Sequence, residues 1–227
     1  KFMAKKIIDL TMSIKEGMQT FPTYWHPFVE ITQLGRHGIE NRETRKLVLG
    51  THTGTHMDAP RHFIKDGKCI DQISLDQLVG PASVIDLSSF EAFSEIQKVD
   101  LEERLGDRPC ERVLLRYDWD KMLGSMKYFN ETPFMSEEAA QWLVDKGCVL
   151  VCMDTPMPDN PKNGKGSDND SPIHKILLGN NVIICEYLIN LSKLSQPIVD
   201  IYIAPLKISE GDGAPVRAFA IENDIKK

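Results

Sequence analysis

The sequence predicts a single α/β domain over residues 1–227, built as a mixed sheet with flanking helices. Three observations carry this. "ERVLLRYD" (111–118), "SEEAAQWLVDKG" (136–147) and "CVLVCMD" (148–154) run strand, helix, strand, a βαβ order that makes part of the sheet parallel. The rest of the second half is β-rich, which makes the sheet mixed. No internal repeat or low-complexity linker divides the chain, and its length suffices for a sizeable core.

The elements follow in order. "KKIIDLTMSI" (5–14) opens as a short strand. "VEITQL" (29–34) and "TRKLVLG" (44–50) are strands, the second entering a histidine-rich stretch directly. "ASVIDLS" (82–88) is a buried strand. "DLEERLG" (100–106) is a short helix with Asp100 as N-cap and Gly106 as its stop. In the 136–147 helix Ser136 caps, Glu137 and Glu138 suit the positive end, Ala139, Trp142 and Leu143 form the apolar stripe, and Gly147 ends it. "NNVIICEYL" (180–188), "IVDIYIAPL" (198–206) and "VRAFAIEN" (216–223) are the closing strands. Two loops stand out. Residues 154–174 are rich in Pro, Gly, Asn and Asp and too long for a simple connection. "FPTYWHPF" (21–28) is either an N-terminal loop packed on the core or the wall of an aromatic pocket, with Tyr24, Trp25 and His26 facing a substrate.

Composition narrows the function. A formal net charge of −6 without any basic block gives little support to a nucleic-acid partner. No apolar run approaches the roughly 18 residues of a membrane span. The N-terminus has no signal-type apolar region, and Lys1–Phe2 ahead of Met3 reads as a remnant outside the fold. Five scattered cysteines argue against a disulfide framework and for a reducing, cytoplasmic setting. Cys148 and Cys152 are read as core residues rather than a metal pair.

The informative stretch is "GTHTGTHMDAPRHF" (50–63). It holds three of the chain's six histidines, His52, His56 and His62, together with Asp58. On a straight strand His52 and His56 would stand about 13 Å apart, near the limit for sharing one ion. A helix would bring them together, but Thr53, Gly54, Thr55 and Pro60 make a poor helix. The expectation is a strand that ends and bends, with Gly54 supplying the unusual backbone conformation. Two imidazoles and a carboxylate form an N,N,O set that suits zinc with an open position, with manganese or iron(II) as competitors. Such an ion brings the pKa of its water down to about 7. His62 is then a further ligand or a general base beside that water. The bland alternative, surface histidines on a solvated loop, accounts poorly for four such groups in so short a stretch.

"HTGTHMDAPRHF" resembles the signature H-x-G-T-H-x-D-x-P-x-H-F of the cyclase family of metal-dependent hydrolases, which includes bacterial kynurenine formamidases and isatin hydrolases. The match is complete over a long signature. "DSPIHKILLGNNVIICEYLINL" (170–191) is similar to the family's second half-site, with His174 and Glu186 at the matching positions, and "ISEGDGAPVRAFAI" (208–221) resembles its C-terminal turn and last strand. The resemblance implies a swivelling β/β/α fold, a homo-oligomer (most simply a homodimer), and a site assembled from distant segments. His52, His56 and Asp58 would hold a first zinc or manganese ion, His174 and Glu186 with Asp58 as bridge would hold a second, and His62 would be the catalytic base. It also implies a small-amide substrate, foremost N-formylkynurenine in tryptophan catabolism, with isatin-type cyclic amides as the alternative.

The chain departs from the formamidase pattern in two places where specificity would lie. Pro22 is followed by Thr23, Tyr24, Trp25 and His26 instead of a Pro-Gly-Asp-like turn, and there are extra residues around 118–135 and 154–174. Two rivals stay open: a metal or small-ligand binding protein without turnover, and a structural metal staple. The staple is disfavoured because structural zinc sites are usually closed and cysteine-rich.

Overall fold

Alternate residues of the central strands serve two different cores. Val113, Leu115, Val151, Met153 and Ile184 belong to a cluster with Leu101, Trp142, Leu143 and Leu177. Their neighbours Leu114, Leu150, Cys152, Ile183 and Cys185 belong to a second cluster with Ile201, Ile203, Ala218 and Ala220. Strands apolar on both faces must be covered on both faces, and the computed structural model, which describes residues 5–223, covers them with helices on one side and with the sheet's own curvature on the other. Each such side chain, fully buried, contributes about 1.5–3 kcal/mol. Lys1 and Phe2 lie outside the described residues.

In chain order the elements are β1 (Lys5–Asp9), β2 (Glu30–Gly35), β3 (Thr44–Val48), β4 (His56–Asp58), a 3-10 turn (Pro60–His62), α1 (Leu75–Leu78), β5 (Val79–Asp86), β6 (Glu95–Ile96), α2 (Lys98–Leu105), β7 (Arg112–Arg116), α3 (Lys127–Asn130), β8 (Phe134–Met135), α4 (Glu137–Asp145), β9 (Leu150–Met153), α5 (Pro172–Gly179), β10 (Ile183–Glu186), β11 (Ile198–Pro205) and β12 (Gly213–Asn223). Among the described residues, β12, β11, β5, β7, β9, β10 and β4 are paired in that order and β4 pairs back onto β12, closing a ring; β1 adds to the far half of β12. The segment β5–β7–β9–β10 is parallel and the remaining pairs are antiparallel, so the sheet is mixed as expected. The unit β7–α4–β9 is the βαβ element read from the sequence.

Local signals explain the helix ends. The Ser136 hydroxyl accepts from the Ala139 amide at 3.1 Å, and Gly147 takes φ +76° just beyond the helix. Gly106 ends α2 with φ +58°. The N-cap of α2 is Gln97, not Asp100: the helix starts a turn earlier, and the Asp100 carboxylate accepts the Gln97 amide at 2.8 Å, the reach-back half of a capping box. The 44–50 segment also differs from expectation. It does not run into the histidine stretch as one strand; β3 ends at Val48 and pairs with β2 in a separate hairpin, and a turn leads to β4. Cys148 and Cys152 are buried in the two apolar clusters, one in each.

Candidate metal centre

The site begins with one register. β4 and β10 pair antiparallel with His56 opposite Glu186 and Asp58 opposite Ile184. Opposed residues share a face, so His56, Asp58 and Glu186 point to the helix side of the sheet, whereas Met57 and Cys185 point into the ring. Ahead of β4, Gly54 at φ +63° turns the chain so that His52 folds back over the same face. Beyond β4, Pro60 opens a 3-10 turn that carries His62. On that side α5 supplies His174 in its first turn.

These side chains converge. Asp58 Oδ1 lies 2.7 Å from His52 Nδ1 and 3.2 Å from His56 Nε2, and its Oδ2 lies 3.4 Å from His174 Nε2. Glu186 closes the group, 3.4 Å from His56 Nε2 and 3.2 Å from His174 Nε2. The result is two buried three-ligand groups, His52–His56–Asp58 and Asp58–His174–Glu186, joined by Asp58, and a third, less buried group of His52, His62 and Asp212, in which Asp212 lies 3.4 Å from His62 Nδ1. His62 stands beside the first two, its ring centroid 3.9 Å from that of His52 and 6.2 Å from that of His174.

In each of the three histidines the ring nitrogen turned away from the group is held by an oxygen. His52 Nε2 meets Asp212 at 2.8 Å, His56 Nδ1 meets the Gly54 carbonyl at 2.8 Å, and His174 Nδ1 meets Asp159 at 2.5 Å. An N–H donated outward fixes the tautomer and leaves the inward nitrogen's lone pair for a cation. Asp159 also accepts the amides of Ile173 and His174, so it positions the start of α5 and the His174 ring together. Gly213 leaves room for this packing: a Cβ there would stand 2.8 Å from His52 Cε1 and 2.6 Å from the Met57 carbonyl.

The electrostatics are those of a site short of positive charge. Burial and the adjacent Asp58 push the Glu186 carboxyl up, and its buried Oε1, although 3.2 Å from His174 Nε2, makes no well-aligned hydrogen bond among the described residues. Burial opposes charge on His52, yet the Asp58 carboxylate and Asp212 outweigh it and raise this imidazole to about 10. His174 is raised in the same way by Asp159, Asp58 and Glu186. Asp58 is held well below the carboxylate range despite its burial, by His52 and His62. Burial pulls His62 down against the field of Asp58, which favours a neutral imidazole able to take a proton. The donor set, with a buried carboxylate oxygen that lacks a well-formed hydrogen bond, fits a divalent cation.

A cavity of about 730 Å³ opens over the group, within the range of small-molecule sites. The 21–28 loop lines one side, and His26 reaches within 6.0 Å of the His52 ring. Burial, followed by the charge on His52, lowers His26 to about 4. Tyr24 is 87% exposed and Trp25 46%, so these two form the outer rim. The long 154–174 loop also lines it and meets the first loop, its Lys165 ammonium 5.5 Å and 5.0 Å from the Tyr24 and Trp25 ring centroids.

All six residues singled out for chemistry, His52, His56, Asp58, His62, His174 and Glu186, therefore face one cavity, as do Tyr24, Trp25 and His26. Three others were not anticipated. Asp159 lies in a loop crowded with other aspartates, and Tyr187 carries no pattern at all. Asp212 sits in the "EGDGAP" turn, where a carboxylate between two glycines close to the last strand was the available signal.

Comparisons with known proteins bear on the family and the fold. A family model described as "Putative cyclase" matches residues 8–160. A kynurenine formamidase from Bacillus cytotoxicus is 30% identical over 218 residues, 95% of this chain and 97% of the relative. A crystal structure of an isatin hydrolase bound to the product analogue thioisatinate superposes with a TM-score of 0.86 at 27% identity, covering 97% of this chain and 93% of that one. A protein described as a potential metal-dependent hydrolase with cyclase activity superposes with a TM-score of 0.77 at 27% identity, covering 98% and 100%.

Proposed function

The chain belongs to the cyclase family, and we propose that it is a divalent-metal-dependent hydrolase of small amides, acting foremost on aryl formamides such as N-formylkynurenine. The observation that carries this reading is the sharing of Asp58 between two buried three-ligand groups. His52, His56 and Asp58 would hold one ion, and Asp58, His174 and Glu186 a second. The N,N,O set suits zinc, with manganese as the nearest competitor.

A bound ion supplies Lewis acidity, lowering the pKa of water towards neutrality and polarising a carbonyl. The chain's own residues do the rest. His62 accepts the proton of the attacking water and returns it to the leaving nitrogen. Across the whole reaction one water is added to the C–N bond: the carbon gains the hydroxyl, the nitrogen gains the proton, and a formamide leaves as amine and formate. Phe21, Trp25 and His26 offer an apolar wall for an aryl group. Asp212 and Asp159 hold the His52 and His174 rings in place.

Isatin-type ring opening is the second reading, supported by the likeness to an isatin hydrolase structure. It differs only in that the leaving nitrogen stays tethered to the product. A homodimer in the cytoplasm completes the proposal: the β2–β3 hairpin leaves Leu34 and Leu47 more than half exposed, as a second copy would require, and all five cysteines are free thiols. The test is to strip the protein with chelator, restore Zn²⁺ or Mn²⁺, and assay formylkynurenine, formanilide and isatin. Ion-dependent turnover of the two formamides supports the reading. Turnover of isatin alone replaces the leading substrate, and no turnover of any of the three overturns the hydrolase assignment.

A further inference from the structure

Tyr187 follows Glu186 directly and has φ +57°, a left-handed conformation that a bulky aromatic residue rarely adopts. The backbone is pinned there from both sides: its amide donates to the Thr155 carbonyl at 3.1 Å, and its carbonyl accepts the Thr55 hydroxyl at 2.7 Å. The strained turn sends the ring towards the candidate metal centre, where its centroid lies 5.4 Å from that of His56. The residue lines the cavity and is 3% exposed.

The hydroxyl is the odd feature. It is buried and has no hydrogen-bond partner among the described residues. The phenol beside it, on Tyr128, is satisfied by the Asp154 carbonyl at 3.2 Å. Phenylalanine would fill the same volume without leaving a donor buried and unpaired, which is costly. With its ring against that of His56 and its backbone directly after Glu186, the unpaired donor belongs to a residue packed on the ligand groups themselves. A strained backbone and an unsatisfied donor in one residue, both at the cavity, are the marks of a group retained for a ligand.

We propose that the Tyr187 hydroxyl donates a hydrogen bond to the carbonyl oxygen of the scissile amide once substrate is bound, a bond that strengthens as negative charge gathers on that oxygen. The inference rests on the amide-hydrolase reading above. It concerns the acyl oxygen, common to formamides and cyclic amides, and so does not depend on which amine leaves. A donor that acts mainly on the developing charge is expressed in kcat more than in KM.

The test is Tyr187→Phe, with formanilide as probe, Zn²⁺ affinity by calorimetry and the melting temperature measured in parallel. We expect kcat to fall about 10²-fold, with KM and ion affinity close to those of the parent and a melting temperature no lower than the parent's, because the substitution removes a buried unpaired hydroxyl. Unchanged kcat in an active parent overturns the role of Tyr187 and leaves the hydrolase reading standing. A fall in kcat accompanied by weakened ion binding also overturns it, because Tyr187 would then be supporting the metal ligands. A parent that hydrolyses neither formanilide nor isatin removes the reading on which the inference rests, and the inference with it.

Discussion

Asp212 lies 2.8 Å from Nε2 of His52, on the side of the ring opposite Asp58, which lies 2.7 Å from Nδ1. The imidazole is therefore held between one carboxylate that faces the ion-binding group and one that faces away. A partner on the outward nitrogen orients the ring and raises its basicity, and removing such partners typically costs about 10–100-fold in metal affinity. Asp212→Ala should weaken Zn²⁺ binding by that factor, read by competition with a chromophoric chelator. Binding as tight as in the parent would mean that Asp212 does not support His52 as a ligand.

His62 separates chemistry from ion binding. It belongs to neither of the two groups that share Asp58, although it joins His52 and Asp212 in a third, less buried one. His62→Gln should keep the parent's ion stoichiometry while its kcat on formanilide drops about 10²–10⁴-fold. Loss of the ion in this variant would instead make His62 a ligand.

Gly213 tests how tightly the ring of His52 is packed. A Cβ at this position meets the Met57 carbonyl at 2.6 Å as well as His52 Cε1, and the backbone oxygen cannot move aside as a flexible side chain would. Gly213→Ala should lower the melting temperature and weaken ion binding together. A variant with parental stability and parental affinity would contradict the packing described.

Asp154 carries a pH signature away from the ligand groups. Its carboxylate is fully buried and accepts the Tyr117 amide at 3.0 Å. Burial pushes it up to about 8, whereas in the unfolded chain it ionises near 3.8. Between those values folding takes up a proton, so this group's contribution is complete at low pH, falls as pH rises through the window, and is lost above about 8. Each pH unit within the window corresponds to about 1.4 kcal/mol. Asp154→Asn, which mimics the protonated acid, should gain stability over the parent as pH is raised from 6 to 8, measured by urea denaturation. A difference between the two proteins that does not change with pH would show that Asp154 is ionised when folded.

Much of the fold could be read locally, because local rules decide it. Apolar runs such as "CVLVCMD" and the Ser136 and Gly147 signals at the ends of α4 depend on neighbours a few residues away. The bend at Gly54 follows from the same logic, since four potential ligands on a straight strand could not meet. Ring closure is different. It depends on β4 pairing with both β10 and β12, two contacts between segments more than 120 residues apart that leave no period in the sequence. The separate β2–β3 hairpin was hidden for a related reason: a strand pattern says nothing about which strand will pair with it. In the site, clustering made His52, His56, Asp58 and His62 visible. His174 and Glu186 needed the family resemblance, because an isolated histidine and an isolated glutamate carry little information alone. Asp159 and Tyr187 matter through where the fold puts them, and nothing in their immediate sequence marks them.

The most direct measurement is calorimetric titration of chelator-stripped protein with Zn²⁺, alongside Asp58→Asn, with formanilide hydrolysis followed at each addition. Tight binding of one or two ions per chain, activity that rises with occupancy, and loss of both in Asp58→Asn would establish that the imidazoles and carboxylates gathered around Asp58 form a working metal centre. Hydrolysis that is already complete in the stripped protein, or an Asp58→Asn variant that binds and turns over like its parent, would contradict it.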